Sequence, residues 1–255
     1  MTITDTHTHL YSEAFNDDRH AVIERAIGNN VKRFFIPAID SSYTQAMFKL
    51  EKDFPSNMFL MAGLHPTSVK GNYKEELNHV ETLLKERRFY AIGETGIDLY
   101  WDTSTLDIQK KAFKHQIRLA KQYKLPIVIH CRNAFDEIFE VLEDERDEAL
   151  FGIFHCFTGT LEQAHRAISH NMKLGIGGVV TFKNGGIDKF ISQIDLKHIV
   201  LETDSPYLAP KPYRGKRNES SYILKVLEKL SELYGISQES IAEVTTQNSK
   251  AIFKI

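Results

Sequence analysis

The sequence predicts an α/β fold, a single (β/α)8 barrel with an additional C-terminal helix. Three observations carry this. Eight short apolar or β-branched runs recur about every 25 to 35 residues, the length of a strand-plus-helix unit. The segments between them read as helices rather than as hairpin turns. Histidines and carboxylates collect at the C-terminal ends of the runs, the level at which a barrel builds its site.

The eight strand candidates are Thr2–Leu10, Arg33–Ala38, Met58–Leu64, Tyr90–Ile97, Pro126–Cys131, Gly152–Phe157, Lys173–Gly178 and His198–Thr203. Asp18–Asn29 sets Val22, Ile23, Ala26 and Ile27 on one helical face, with Gly28 and Asn29 as stop signals. Asp107–Lys124 spaces Phe113, Ile117, Ala120 and Tyr123 at three to four residues. Ser221–Tyr234 precedes Gly235, and a last helix over Ser237–Phe253 takes Ser237 as its N-cap. Alternating strands and helices imply a parallel sheet, and eight units imply closure. A doubly wound open sheet is the competing architecture, but no Gly-rich phosphate loop follows the first strand. No linker or low-complexity tract divides residues 1–255, so one domain is expected.

Composition narrows the function classes. Hydrophobic residues make up 42% and charged residues 26%, values of an ordered globular chain rather than a disordered one. No apolar run approaches a membrane span, so no membrane partner is expected. The first residues lack the basic and apolar regions of a secretory signal, and two cysteines are too few for a disulfide framework. The cytoplasm is the expected compartment. A net charge of −2 offers no basic surplus for nucleic acid, and the one local concentration is Lys211, Arg214, Lys216 and Arg217.

His7 and His9 end the first run, Glu94 the fourth, His130 the fifth, His155 the sixth and Asp204 the eighth. Residues two apart on a strand face the same way, so both imidazoles of His7-Thr8-His9 can meet one cation while Thr8 faces the helices. The same alternation places Asp5 one layer deeper and Glu202 beside Asp204, each as an orienting carboxylate. Glu94, between Gly93 and Thr95, can lend one oxygen to each of two cations, which an imidazole cannot do. Cys131 and Cys156 adjoin His130 and His155, and alternation turns them away from the cations as small buried residues.

With those residues in view, the chain resembles the TatD family of metal-dependent deoxyribonucleases, within the amidohydrolase-like barrels. The resemblance runs from Asp5-Thr6-His7-Thr8-His9-Leu10 through Gly63-Leu64-His65-Pro66, Ile92-Gly93-Glu94-Thr95-Gly96-Ile97-Asp98, His130 with Arg132, and Phe154-His155-Cys156-Phe157. It continues through Glu202-Thr203-Asp204-Ser205-Pro206 and Arg214-Gly215-Lys216-Arg217-Asn218-Glu219 to Asn248. It implies that His7, His9 and Asp204 hold one cation, His130 and His155 a second, and Glu94 bridges them. It also implies phosphodiester hydrolysis, often from the 3′ end of single-stranded DNA, with His65 near the scissile phosphate. Asn133 and Ser220 depart from the family pattern, where Asp and Pro are common.

The expected reaction uses two divalent cations, Mg, Mn or Zn, that acidify a shared water. Asp204, Glu94 and His65 are the expected catalytic groups, and His65, Arg132, Arg214 and Arg217 the substrate contacts. Tyr100, Trp101, Tyr207 and Tyr213 follow strand ends and are candidates for stacking on bases. The alternative is an amidohydrolase or ester hydrolase acting on a small molecule or aminoacyl-tRNA. Many such barrels bridge their metals with a modified lysine on strand four, where this chain has Glu94. A monomer or weak homo-oligomer is expected.

Overall fold

The computed structural model describes residues 1–255. Strands form at all eight predicted places: β1 Ile3–Asp5, β2 Val31–Ile36, β3 Met58–Leu60, β4 Ile92–Asp98, β5 Ile127–Arg132, β6 Gly152–Phe154, β7 Met172–Ile176 and β8 Ile199–Leu201. Most are shorter than their apolar runs, because the ladder stops where the backbone leaves the barrel wall to present site residues. Neighbours pair in parallel and in sequence order, β1-β2-β3 and β4-β5-β6-β7-β8. Two seams close the ring. Ala62 bridges Ile92 between β3 and β4, and the Thr6 amide donates to the Leu201 carbonyl between β8 and β1. Close approach at the first seam requires glycine: a Cβ on Gly63 would lie 2.7 Å from the Gly93 carbonyl carbon.

The helices are α1 Arg19–Gly28, α2 Thr44–Asp53, α3 Tyr73–Glu86, α4 Leu106–Tyr123, α5 Phe135–Asp144, α6 Leu161–Ser169, α7 Ile223–Tyr234 and α8 Gln238–Phe253. The seventh crossover has no α-helix. Short 3-10 turns between Gly178 and His198 carry the chain from β7 to β8, a stretch interrupted by Gly185 and Gly186. The predicted caps hold: Ser237 accepts from the Ser240 amide at 3.1 Å, and Gly235 ends α7 with φ +67°. No helix is long and apolar enough to cross a membrane.

Apolar side chains fill two spaces. A large cluster lies between strands and helices, and a smaller one fills the ring itself: Phe35, Met61, Ala91, Val128, Ile153 and Val200 with Ile252 and Phe253 of α8. Val128, Ile153 and Val200 each stand two residues before His130, His155 and Glu202, so the packed layer is the floor on which those polar groups rest. Phe253 closes it from below, stacked on Phe35 with centroids 3.6 Å apart. Phe253→Ala is expected to cost about 3–5 kcal/mol and lower the unfolding midpoint by roughly 10 °C. A shift of less than about 3 °C in thermal unfolding would show that α8 does not support the floor.

Candidate metal centre

Above that floor the strand ends bring His7, His9, His65, Glu94, His130, His155 and Asp204 together. Glu94 is the hub, and its two oxygens divide the cluster. Oε2 lies 3.1 Å from His7 Nε2 and 3.5 Å from His9 Nε2. Oε1 lies 2.8 Å from His130 Nδ1, 3.0 Å from His155 Nε2 and 3.3 Å from His65 Nε2. Asp204 Oδ1 completes the first side, 3.5 Å from His9 Nε2 and 3.8 Å from His7 Nε2. Asp204 takes φ +56°, a left-handed conformation that Asp tolerates better than most residues.

The outer ring of hydrogen bonds fixes which imidazole nitrogen carries a proton. Tyr11 donates its hydroxyl to the Pro37 carbonyl at 2.8 Å, so its oxygen accepts from His9 Nδ1 at 2.9 Å. Neutral His9 therefore turns a bare Nε2 toward the carboxylates. His130 does the same with the opposite nitrogen: Nε2 donates to Asp98 Oδ2 at 2.9 Å, leaving the Nδ1 lone pair facing Glu94. His155 lies between two carboxylates, Nδ1 3.3 Å from Glu202 Oε1 and Nε2 3.0 Å from Glu94 Oε1. The His9 and His130 lone pairs thus point at carboxylate oxygens, an arrangement that repels unless a proton or a metal cation lies between. His7 Nε2 and His9 Nε2 lie 3.3 Å apart, both directed at the same carboxylates. This donor set fits divalent cations, with nitrogen and carboxylate ligands on both sides of Glu94.

His65 is different. Its Nδ1 accepts from the Thr67 amide at 3.2 Å and lies 2.7 Å from the Thr67 hydroxyl, so neutral His65 presents Nε2–H to the site. Although His65, Glu94 and His130 are close enough to form a ligand triad, that tautomer makes His65 a hydrogen-bond donor instead.

Charge follows the same logic. Burial opposes ionisation of Glu94, but the attraction of His155, His65 and His7 holds it well below the usual carboxylate range. Burial likewise disfavours charge on His155, yet Glu94 and Glu202 push it well above the usual histidine value. His7 is lowered, chiefly by burial. Burial opposes ionisation of Asp204 as well, but the attraction of His9, His155 and His7 outweighs it and holds its carboxyl low.

A cleft of about 580 Å³ opens over the cluster, bounded by Arg132 and Trp101 at one edge and Tyr207 and Leu208 at another. Several expectations need correction here. Arg217 does not reach the cleft, because both guanidinium nitrogens bind Asp18 at 2.6 and 2.7 Å. Arg214 lies over the Phe182 ring, 4.4 Å from its centroid, and is not part of the cleft wall. Tyr213 stacks on Tyr222, centroids 3.9 Å apart. Asp5 orients no imidazole: it takes the Thr203 amide at 2.9 Å and hydroxyl at 2.6 Å, tying β1 to the end of β8. Cys131 and Cys156 are only half-buried and line the cleft. Burial pushes the Cys131 thiol up to about 12 and Cys156 well above its usual value, so both remain thiols. Asp98 and Tyr11 are the positioning residues that sequence reasoning missed. Tyr11 stands two residues past His9, and Asp98 ends the Glu94 motif on the same strand.

A family model described as TatD related DNase matches residues 4–254. The chain belongs to the TatD family. Like its relatives there, it is a metal-dependent hydrolase. YabD of Bacillus subtilis, an uncharacterized metal-dependent hydrolase, is 41% identical over 254 residues, 98% of each chain. The 3′-5′ ssDNA/RNA exonuclease TatD of Salmonella typhimurium is 28% identical, also over 98% of each. The crystal structure of YJJV, a TatD homolog from Escherichia coli, matches with a TM-score of 0.93 at 27% identity, covering 99% of this chain and 98% of that one.

Proposed function

We propose that this TatD-family hydrolase cleaves phosphodiester bonds of single-stranded DNA, releasing nucleotides from the 3′ end, with two divalent cations (Mg, Mn or Zn) shared across Glu94. One observation carries the reading. The two oxygens of Glu94 face separate sets of imidazole nitrogens, His7 and His9 on one side, His130 and His155 on the other. The exonuclease name of the Salmonella relative supports the substrate class.

When bound, two such cations supply Lewis acidity to a phosphoryl oxygen and acidify water at neutral pH. The protein does the rest. Asp204 is held ionised, so its carboxylate can take the proton of the attacking water. His65 directs Nε2–H into the cleft, where it donates to a nonbridging phosphate oxygen as charge grows there. Arg132 adds a cation at the edge of the cleft. Asp98 and Tyr11 keep His130 and His9 in the tautomers that expose a lone pair to the site, and Glu202 stands 3.3 Å behind the His155 ring.

The test is end-labelled single-stranded DNA incubated with metal-loaded protein, with chelator, and with the His130→Ala variant. Stepwise shortening from the 3′ end is expected, with activity abolished by chelator and reduced at least about a hundredfold by the substitution. No shortening with magnesium, manganese or zinc, despite bound cations, would overturn the nuclease reading and leave the family assignment standing.

A further inference from the structure

The large apolar side chains that the fold leaves in solvent are not scattered. Seven are exposed: Met1, Tyr100, Trp101, Tyr207, Leu208, Ile236 and Ile255. Four of the seven stand in two adjacent pairs, Tyr100-Trp101 after β4 and Tyr207-Leu208 after β8. Those strands are four apart in a ring of eight, so the pairs rise from opposite sides of the mouth over Glu94. Trp101 is 71% exposed, although an indole normally buries a large area in a fold. It is also the only tryptophan in the chain.

The first pair is held as a built surface. The Asp98 side chain accepts the amides of Tyr100 and Trp101 on Oδ1, at 2.9 and 3.3 Å. Its other oxygen takes Nε2–H of His130. Gln109 of α4 clamps the same residue from below, accepting the Asp98 amide at 2.8 Å and donating to its carbonyl at 3.1 Å. Arg132 pairs with Asp98 in the β4–β5 register and lays its guanidinium over Tyr100, 3.7 Å from the ring centroid and 5.5 Å from that of Trp101. The two aromatic rings meet edge to face at 4.9 Å. One carboxylate therefore sets both an imidazole of the metal centre and an exposed aromatic turn beside it.

We infer that the Trp101 face, braced by Tyr100 and Arg132, stacks on the unpaired base next to the scissile phosphate and so positions the strand end over Glu94. The inference rests on the nuclease reading above and gives it a substrate contact. An unpaired base is the occupant that fits, because an aromatic face beside a cation receives any base without reading its hydrogen bonds. A paired base offers no free face except at a duplex end. The arrangement thus favours single strands while remaining indifferent to sequence. Trp101 acts as a positioning residue, and its effect belongs in KM rather than in kcat.

Trp101 fluorescence tests the contact apart from the reaction, since no other tryptophan contributes. Metal-loaded protein titrated with a phosphorothioate-linked oligothymidine should show saturable quenching, and a strand of equal length ending in abasic residues should give little. In cleavage assays, Trp101→Ala should raise KM about five- to a hundredfold on base-bearing strands, with kcat changed less than about threefold. Trp101→Phe should recover most of the loss, and the penalty of Trp101→Ala should shrink to within about twofold when the terminal base is missing. Cleavage with no quenching and an unchanged KM in Trp101→Ala would overturn the stacking contact and leave the nuclease intact. Quenching that requires a base, with no cleavage under any metal, would keep the contact and overturn the reaction.

Discussion

Glu94→Gln is expected to reduce hydrolysis about a thousandfold or more, close to 4 kcal/mol of transition-state stabilisation, and to leave one cation or none per chain. Glutamine keeps the shape of the side chain, so the barrel folds unchanged. What it loses is the ability to face cations with both ends. The amide nitrogen is a donor only, and whichever side it occupies it points N–H at an imidazole nitrogen that would ligate a cation, His7 Nε2 on one side or His130 Nδ1 on the other. It occupies that nitrogen and displaces the cation the nitrogen would bind. The carboxylate also lies within 3.5 Å of every imidazole of the cluster, which no other carboxylate in the site does. Elemental analysis of purified wild-type and variant protein, with turnover on labelled single strands, checks both halves. Full activity with two cations still bound would show that Glu94 does not bridge.

The six proposed ligands were legible in the sequence because strand ends in a barrel point one way and their separation along the chain does not matter. His7, Glu94, His130, His155 and Asp204 lie far apart in sequence, yet each terminates an apolar run. The pairings around them were less legible. Glu202 shares the inward face expected for it, but which imidazole it supports, His155, follows only from the fold. Asp98 was visible as part of a motif, but its link to His130 depends on the parallel register of β4 with β5, which sets Asp98 opposite Arg132. Asp5 shows where alternation fails. β1 ends at Asp5, so counting back in twos from His7 runs outside the strand, and the carboxylate it places under the site in fact braces Thr203. Arg217 could not be placed from sequence, because its partner Asp18 lies at the start of α1, 199 residues away. The seventh crossover was partly visible in the glycines at 185 and 186, which suit turns better than a helix.

Gly175→Ala tests how strongly the cluster depends on what lies under it. Gly175, in β7, faces the side chain of Glu202, and an added methyl would clash with Glu202 Oε2 and stand 3.1 Å from the His155 Cα. Glu202 has no room to yield. It is fully buried, and its Oε1 accepts the Cys156 amide at 2.6 Å while facing His155 Nδ1. Displacing it frees the His155 ring to rotate, and Nε2 no longer faces Glu94. The expected result is a cost of about 1–3 kcal/mol in stability, with a 10- to 100-fold fall in affinity for the cation on the His130–His155 side. The His7–His9 side should keep its own. Glu202→Gln separates the two effects, since it adds no volume: it should reproduce the loss of metal affinity while costing less stability than Gly175→Ala. If metal titration followed by calorimetry shows both sites unaltered in Gly175→Ala, the buried carboxylate is a packing element and His155 takes its orientation from elsewhere. If one site weakens and the other holds, the two halves of the centre are set independently, each by its own buried support.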